Sequence, residues 1–285
     1  CQQLDTEGMI GFTESFVSDI ETGFSVVNEE RLSWLAGIKM SHWKGVLCFG
    51  MGGSAAGGDF LARLADADGS KPIIVHRGYQ LPSWWTNDWL ILATSHSGNT
   101  EETVAATESA LKQGATVIVI ATGGILAGLC ELYDDCHLIP STGGQPPRTA
   151  FGHLFSRQLA LMEQIDILPT QQLEAREAMM VRLEYACQSN DFRKPSGAPL
   201  LDLAMALMDH PIALLGPNEM QPALVRFKNQ LNENSGRFAR IGIVPEMNHN
   251  EIVAWGGLSD DADPERANQA TLFLTWDAMH QRVRS

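Results

Sequence analysis

The chain has 285 residues, 44% hydrophobic and 19% charged, with 34 acidic against 20 basic side chains and a formal net charge of −14. That length holds one large or two modest domains with real cores. The acidic balance excludes non-specific binding to nucleic acid or to an anionic membrane surface, but a small anionic substrate stays open because a local field can oppose the net charge.

The five cysteines, Cys1, Cys48, Cys130, Cys136 and Cys187, form no CxxC pair. They read as reduced, cytoplasmic thiols rather than a disulfide framework or a zinc site. No run of about 18 apolar residues offers a membrane span, and the first residues lack a basic-then-apolar leader pattern. A cysteine at position 1 is an odd start, so residues are expected to precede it in the native protein.

Residues 9–40 read as amphipathic helices on the outside of a domain. Five strand-like apolar runs follow, at residues 46–49, 72–76, 89–94, 115–120 and 136–139. The first leads into Gly50-Met-Gly-Gly-Ser-Ala-Ala-Gly57 and a helix through Leu64, and the third into a helix over residues 101–112. Continuous apolar strands alternating with helices predict a parallel sheet covered on both faces. A turn, Thr142-Gly-Gly-Gln-Pro-Pro147, precedes Arg148 and long helical patterns over residues 150–167 and 170–188.

Residues 189–199, polar and bearing Pro and Gly, are a candidate boundary. Beyond them a strand at 211–215, Gly216 and a helix carrying Leu224, Phe227 and Leu231 on one face echo residues 46–65, with Pro222 at a first-turn position. Either duplication or the general physics of α/β units accounts for the echo. Further strands are expected near residues 240–244 and at 271–276. The second sheet then looks incomplete, and the strand at 271–276 should not stand as a bare apolar edge.

Ser95-His-Ser-Gly-Asn-Thr-Glu-Glu102 joins a strand to a helix start. Free N–H groups there favour an anion, and the hydroxyls of Ser95, Ser97 and Thr100 add donors. With no Lys or Arg in the turn, the arrangement suits the phosphate of a small metabolite. Thr100 should also cap the helix, with Glu101 and Glu102 answering its dipole.

Gly50–Gly58 has three readings: a dinucleotide fingerprint, a sugar-phosphate contact using Ser54, or close helix–strand packing. His76-Arg77 stand where NAD would want an acid, so NAD is disfavoured and NADP is not. Arg148 is either an ordinary solvated surface group or, set by two prolines, aimed somewhere specific. Glu233 sits at a helix C-terminus, against the dipole. His249 lies in a polar loop, Pro245-Glu-Met-Asn-His-Asn-Glu251.

Gly50-Met-Gly-Gly-Ser54, Ser95-x-Ser-Gly-Asn-Thr-Glu-Glu102, Pro147-Arg-Thr149, Lys228-Asn-Gln-Leu-Asn-Glu-Asn234 and Pro245-Glu-Met-Asn-His-Asn-Glu-Ile252 occur in that order. In this the chain resembles the bifunctional phosphoglucose/phosphomannose isomerases, built from two sugar isomerase (SIS) domains, over roughly residues 8–285. The resemblance implies an α/β fold of two SIS-type doubly wound domains with mainly parallel sheets, the second incomplete at its C-terminus. The domains are placed at residues 1–150 (N-terminal helices and first SIS domain) and 196–285 (second SIS domain), with connecting helices at 151–195.

It further implies a metal-independent, cofactor-free aldose–ketose isomerase in the cytoplasm, a homodimer with its active site at the subunit interface. Glucose 6-phosphate, with mannose 6-phosphate as a second aldose, would interconvert with fructose 6-phosphate through a cis-enediol. Ser54, Ser95, Ser97 and Thr100 match the phosphate-binding positions, with Gly52 and Gly53 as substrate-proximal backbone. Glu233 matches the base, His249 the ring-opening histidine supplied by a neighbouring subunit, and Arg148 the cation beside the enediolate.

Two departures stand out. His96 lies between the serines, where the family usually has an aromatic or small residue. The family's C-terminal segment, with its ring-opening lysine and a threonine linked to mannose 6-phosphate, has no counterpart, since the last lysine here is Lys228. The alternative function is a non-catalytic sugar-phosphate sensor. An NADP-dependent reductase is a more distant one.

Overall fold

The computed structural model describes residues 5–39, 41–256 and 263–284; Cys1 lies outside them. The chain divides into two compact units, residues 1–184 and 185–285.

The first unit opens with three helices, α1 (Met9–Glu14), α2 (Phe16–Val26) and α3 (Leu35–Lys39). Then come β1 (Val46–Phe49), α4 (Gly52–Asp68), β2 (Ile73–His76), β3 (Leu90–Thr94), α5 (Glu101–Lys112), β4 (Val117–Ala121), α6 (Gly124–Leu132), β5 (Cys136–Pro140) and α7 (Phe151–Gln164). The described strands of this unit make one five-stranded sheet of order β2-β1-β3-β4-β5, every pair parallel. Every residue of β1, β3 and β4 is buried, as a sheet covered on both faces requires.

The period-two alternation of a strand sorts these side chains between two cores. Val46, Cys48, Leu90, Leu92, Ile118 and Ile120 face one way, onto α3, α4 and α7. Leu47, Phe49, Ile91, Ala93, Val117 and Val119 face the other, onto α5 and α6.

The N-terminal helices do lie outside the sheet, but α2 is packed closely on α7. A Cβ on Gly23 would stand 1.6 Å from Ser156 Oγ, so the two helices meet at a distance only glycine permits. Their interface also holds polar groups. His153 Nε2 lies 3.2 Å from Asp19 Oδ1, and Arg157 donates to the carbonyls of Pro140 and His153, each at 2.9 Å. Burial pushes the Arg157 guanidinium down to about 10, and Asp19 counters part of that fall.

The glycine-rich residues 50–58 are mostly helix: α4 starts at Gly52. A Cβ on Gly57 would meet Gln158 Oε1 at 1.8 Å, and one on Gly58 would meet Cys48 Cβ at 3.1 Å. These two glycines serve close packing. Helix α6 is a further element, one the sequence reading did not identify.

Helix α8 (Leu173–Ser189) has no buried residue, and the division between units falls within it. The second unit continues with α9 (Ala198–Leu207), β6 (Ile212–Pro217), α10 (Gln221–Ser235), β7 (Ala239–Val244), α11 (Ile252–Gly256), β8 (Ala270–Phe273) and α12 (Gln281–Arg284). Its described strands form a parallel three-stranded sheet, β7-β6-β8. Strand, helix, strand and return to the other side of the first strand repeat the β2-β1-β3 arrangement of the first unit.

The core here is smaller: Ile212, Leu214 and Leu224 are buried, with Phe227, Leu231, Ile241, Ile243 and Leu272 packed on them. The expected strand at 271–276 is shorter than read, ending at Phe273, and among the described residues β8 pairs with β6 alone. Trp276 donates from Nε1 to Glu219 at 3.0 Å.

Helix α7 is a core element of the first unit rather than a surface connector, because Leu154, Leu161 and Met162 are at most 1% exposed. Leu154→Ala should therefore cost about 2–5 kcal/mol. Val181→Ala on α8, where the side chain is 69% exposed, should stay within about 0.5 kcal/mol. Urea midpoints compare the two, and equal small losses would take α7 out of the core.

Candidate active site

In an open parallel sheet a ligand crevice forms at the carboxyl ends of the strands where the order reverses. Here that point lies between β1 and β3, since α4 leads to β2 on one side and α5 leads on to β4 on the other. The two segments leaving those strands are Gly50–Ser54 and Ser95–Thr100. The fold thus brings Ser54 and the hydroxyl-rich turn to one place.

They are joined directly. Ser54, in the first turn of α4, accepts the His96 N–H on its Oγ at 3.2 Å. The Ser95 side chain is fully buried, accepts the Gly98 N–H at 3.1 Å and lies 2.8 Å from Thr100 Oγ1. Either hydroxyl of the Ser95–Thr100 contact can be its donor.

Thr100 is the N-cap residue of α5, yet its hydroxyl makes no capping bond. The expected side-chain cap is replaced by the Ser95 contact. Ser97 is exposed, and its Oγ accepts the Asn99 N–H at 3.2 Å. The hydroxyls at the surface of the turn are thus those of Ser97 and Thr100, with Ser95 behind them. The first N–H groups of α5 complete an anion-seeking end.

The turn is clamped from several sides. The Gly98 carbonyl accepts the Leu126 N–H, and Asn99 Oδ1 accepts the Ile125 N–H, each at 3.0 Å. The His96 carbonyl accepts both the N–H and the hydroxyl of Thr122, at 3.0 and 2.8 Å.

His96, noted above only as a departure from the family pattern, also takes part here. Its ring is buried, and Nε2 lies 2.9 Å from the Gln145 carbonyl. A carbonyl only accepts, so Nε2 carries the proton. Nδ1 is buried without a partner among the described residues. His96 thereby pins the loop before Arg148 to the hydroxyl-rich turn. Only its place between two serines hinted at this, because the partner lies 49 positions away.

That loop forms the wall beside Gly53, where a Cβ would meet the Pro147 carbonyl at 3.2 Å. Gly52 holds a left-handed φ of 51° at the helix start. Arg148 is mostly buried, and its guanidinium binds Glu7 at 2.8 Å. The fold brings it to the same region as Gly53 but with its charge engaged by an exposed carboxylate. Two further carboxylates, Glu101 and Glu102, raise the Tyr79 phenol above its ordinary range. An anion in this turn would have to be held by oriented N–H and O–H groups at short range.

Glu233 and His249 belong to the second unit. Glu233 is exposed in the last turn of α10. Two turns earlier Arg226 is pushed down to about 10 by burial, and Glu233 pulls it back up. His249 is exposed at the end of a short 3-10 helix, Glu246–His249. Beside it Glu251 pairs with Arg240 and accepts the Trp255 indole N–H at 2.8 Å, a cluster that orders the loop and that sequence reading left without a role.

Gly98 tests the clamp. Its φ is +71°, and a Cβ would stand 1.8 Å from the Gly123 carbonyl oxygen. Gly98→Ala combines left-handed strain of about 1–2 kcal/mol with a backbone clash of about 1–3 kcal/mol. Gly114, at φ +77° with its nearest neighbour 3.6 Å away, should lose only the strain on the same change. Chemical denaturation of both variants separates the terms, and equal losses would mean that α6 does not hold the turn.

A model of the bacterial phospho-glucose isomerase C-terminal SIS domain matches residues 198–285. The bifunctional phosphoglucose/phosphomannose isomerase of Aquifex aeolicus (strain VF5) is 30% identical over 248 residues, covering 86% of this chain and 71% of that protein. The protein of the same name from Caldicellulosiruptor bescii is 34% identical over 213 residues, 73% of this chain and 61% of that one. Among solved structures, the C-terminal domain of glucosamine-fructose-6-phosphate aminotransferase from Francisella tularensis superposes with a TM-score of 0.66 at 12% identity, covering 96% of this chain and 77% of that one. Tagatose-6-phosphate ketose/aldose isomerase from Escherichia coli does so with a TM-score of 0.58 at 15% identity, over 85% and 70%. These two are likenesses of fold alone. On the sequence relationship and its coverage, the chain belongs to the family of bifunctional phosphoglucose/phosphomannose isomerases.

Proposed function

We propose that this protein interconverts glucose 6-phosphate and fructose 6-phosphate, with mannose 6-phosphate as a second aldose. The observation that carries the reading is the hydroxyl-lined turn at the strand-order reversal, Ser54 with Ser95, Ser97 and Thr100, in a chain of this family.

The chemistry follows from the substrate. The C2 hydrogen of an aldose becomes acidic only beside an open carbonyl, so the ring must open first. His249 would pass a proton between the ring oxygen and O1. A carboxylate then removes the proton at C2 and returns it at C1, through a cis-enediol; Glu233 takes this role. The developing oxyanion needs a fixed positive group, and Arg148 supplies it on exchanging Glu7 for the sugar. Ser97, Thr100 and the first turn of α5 hold the phosphate, with Ser95 and Ser54 fixing the turn behind them. The protein works in this reading as a homodimer in which His249 comes from the neighbouring subunit. Turnover should persist in EDTA.

Glu233→Gln should lower kcat by about 10²–10⁴ while sugar-phosphate affinity stays within roughly tenfold, because the amide keeps the shape and loses the base. Mixing this variant with His249→Ala should restore part of the activity if the two residues serve one site from two subunits. A coupled assay and uptake of solvent deuterium at C2 read the result. Exchange at the wild-type rate in Glu233→Gln would remove Glu233 from the base role.

The phosphate does not react, so its contacts are mostly uniform binding. Ser97→Ala should raise KM by about tenfold, the loss of one hydrogen bond to a charged group, with a smaller change in kcat. A fall in kcat at constant KM would place Ser97 at the reacting carbons instead.

A further inference from the structure

We propose that Cys130 and Cys136 form an oxidisable pair, converted by a peroxide-class oxidant to a reversible intramolecular disulfide whose formation is felt at the phosphate turn. The two sulfurs lie 3.3 Å apart, Cys130 in the last turn of α6 and Cys136 at the first residue of β5. They are the closely juxtaposed thiols among the described cysteines. Cys48 lies on the opposite face of the sheet and is pushed up to about 12 by burial, and Cys187 lies on α8.

The pair is asymmetric. Cys130 is half-buried and open to a small oxidant, whereas Cys136 is 3% exposed within the core. Cys130 Sγ donates to the Leu126 carbonyl at 3.5 Å, which leaves it to accept the Cys136 S–H. That hydrogen bond favours the Cys130 thiolate and holds its pKa below the ordinary thiol range, while Cys136 is driven up. The roles follow: Cys130 is the attacking sulfur and Cys136 the resolving one. The Cys130 thiolate attacks one peroxide oxygen, breaking the O–O bond and leaving a sulfenic acid, while hydroxide departs and takes a proton. The Cys136 sulfur then displaces the sulfenic oxygen as water. Two thiols lose two electrons and two protons, and one peroxide becomes two waters.

The route to the phosphate turn is short. Leu126, whose carbonyl takes the Cys130 S–H, donates its own N–H to the Gly98 carbonyl at 3.0 Å. Disulfide formation removes the S–H that binds Leu126 and draws the sulfurs from 3.3 Å to about 2.0 Å. The last turn of α6 must shift, and its first turn carries the clamp on Gly98 and Asn99.

The test uses hydrogen peroxide on the wild-type protein and on Cys130→Ser and Cys136→Ser. Cleavage at Glu131, Asp134 and Asp135 separates the two cysteines, so peptides that stay joined until dithiothreitol is added report the disulfide. A reducible 130–136 link in the wild type, absent from both variants, is expected. Amide hydrogen exchange over residues 97–100 and 124–127 should be about threefold faster or more in the oxidised wild type, returning on reduction and unmoved by peroxide in Cys130→Ser. Both thiols still alkylatable after peroxide, or Cys130 driven to sulfinic acid beside a free Cys136, would overturn the pair. A joined peptide with unchanged exchange would overturn the coupling to the turn.

Discussion

The reversal of strand order beside β1 is the constraint on which the site depends. Parallel strands cannot be joined by tight hairpins, so each must be left through a crossover. Where successive crossovers run in opposite directions, the segments leaving two neighbouring strands part company and leave a crevice. Gly50–Ser54 and Ser95–Thr100 are the two segments that part at β1 and β3. The paired register of Phe49 with Ala93 brings both strands to their ends at the same level. Neither segment has to reach out to meet the other, and one hydrogen bond from His96 to Ser54 closes the gap.

Given that placement, an anion held in the turn, as proposed above, would meet neutral donors on a protein of net charge −14. Repulsion from distant carboxylates falls away beyond a Debye length of about 8–10 Å, but Glu101 and Glu102 are not distant. Oriented dipoles overcome them only if they need no reorganisation when the anion arrives. Rigidity is therefore the property the surrounding structure supplies. Ser95 orients Thr100, Leu126 and Ile125 hold Gly98 and Asn99, and His96 reaches across to Gln145. Ser95 lies within the turn, Leu126 and Ile125 come from α6, and Gln145 from the loop after β5, so the turn takes its shape from several segments at the carboxyl edge of the sheet. The thiol pair at the far end of α6 has access to the turn for the same reason.

The two units answer the same topology with different depth. In the first, five strands and helices on both faces bury two separate cores. In the second, three strands support a core centred on Ile212, Leu214 and Leu224, with large apolar side chains such as Met205 and Phe273 exposed. The functional candidates divide in the same way. The hydroxyl-rich turn and Arg148 stand on the deeper unit, and Glu233 and His249 stand exposed at the ends of α10 and of a short 3-10 helix in the shallower one.

The apolar runs at 46–49, 89–94 and 115–120 were legible as buried strands because burial on both faces demands an unbroken hydrophobic run, and the structure places them within two residues. The serine turn was legible because a strand, hydroxyls, a glycine and a helix start stand next to one another in the chain. Helix α6 escaped notice because two glycines open it and its apolar residues lack a polar face. The reading of residues 50–58 stayed open because Gly57 is there for Gln158, which is remote in sequence. The hydroxyl of Thr100, read as a cap, belongs to Ser95, and the charge of Arg148 is held by Glu7 from 141 positions away. Local pattern carried the strands, the turn and the residue types, because these depend on near neighbours and on periodicity. Tertiary structure alone decided which hydroxyls face outward, what clamps the turn and which thiols meet, because each is a contact between segments that the chain keeps apart until the sheet assembles.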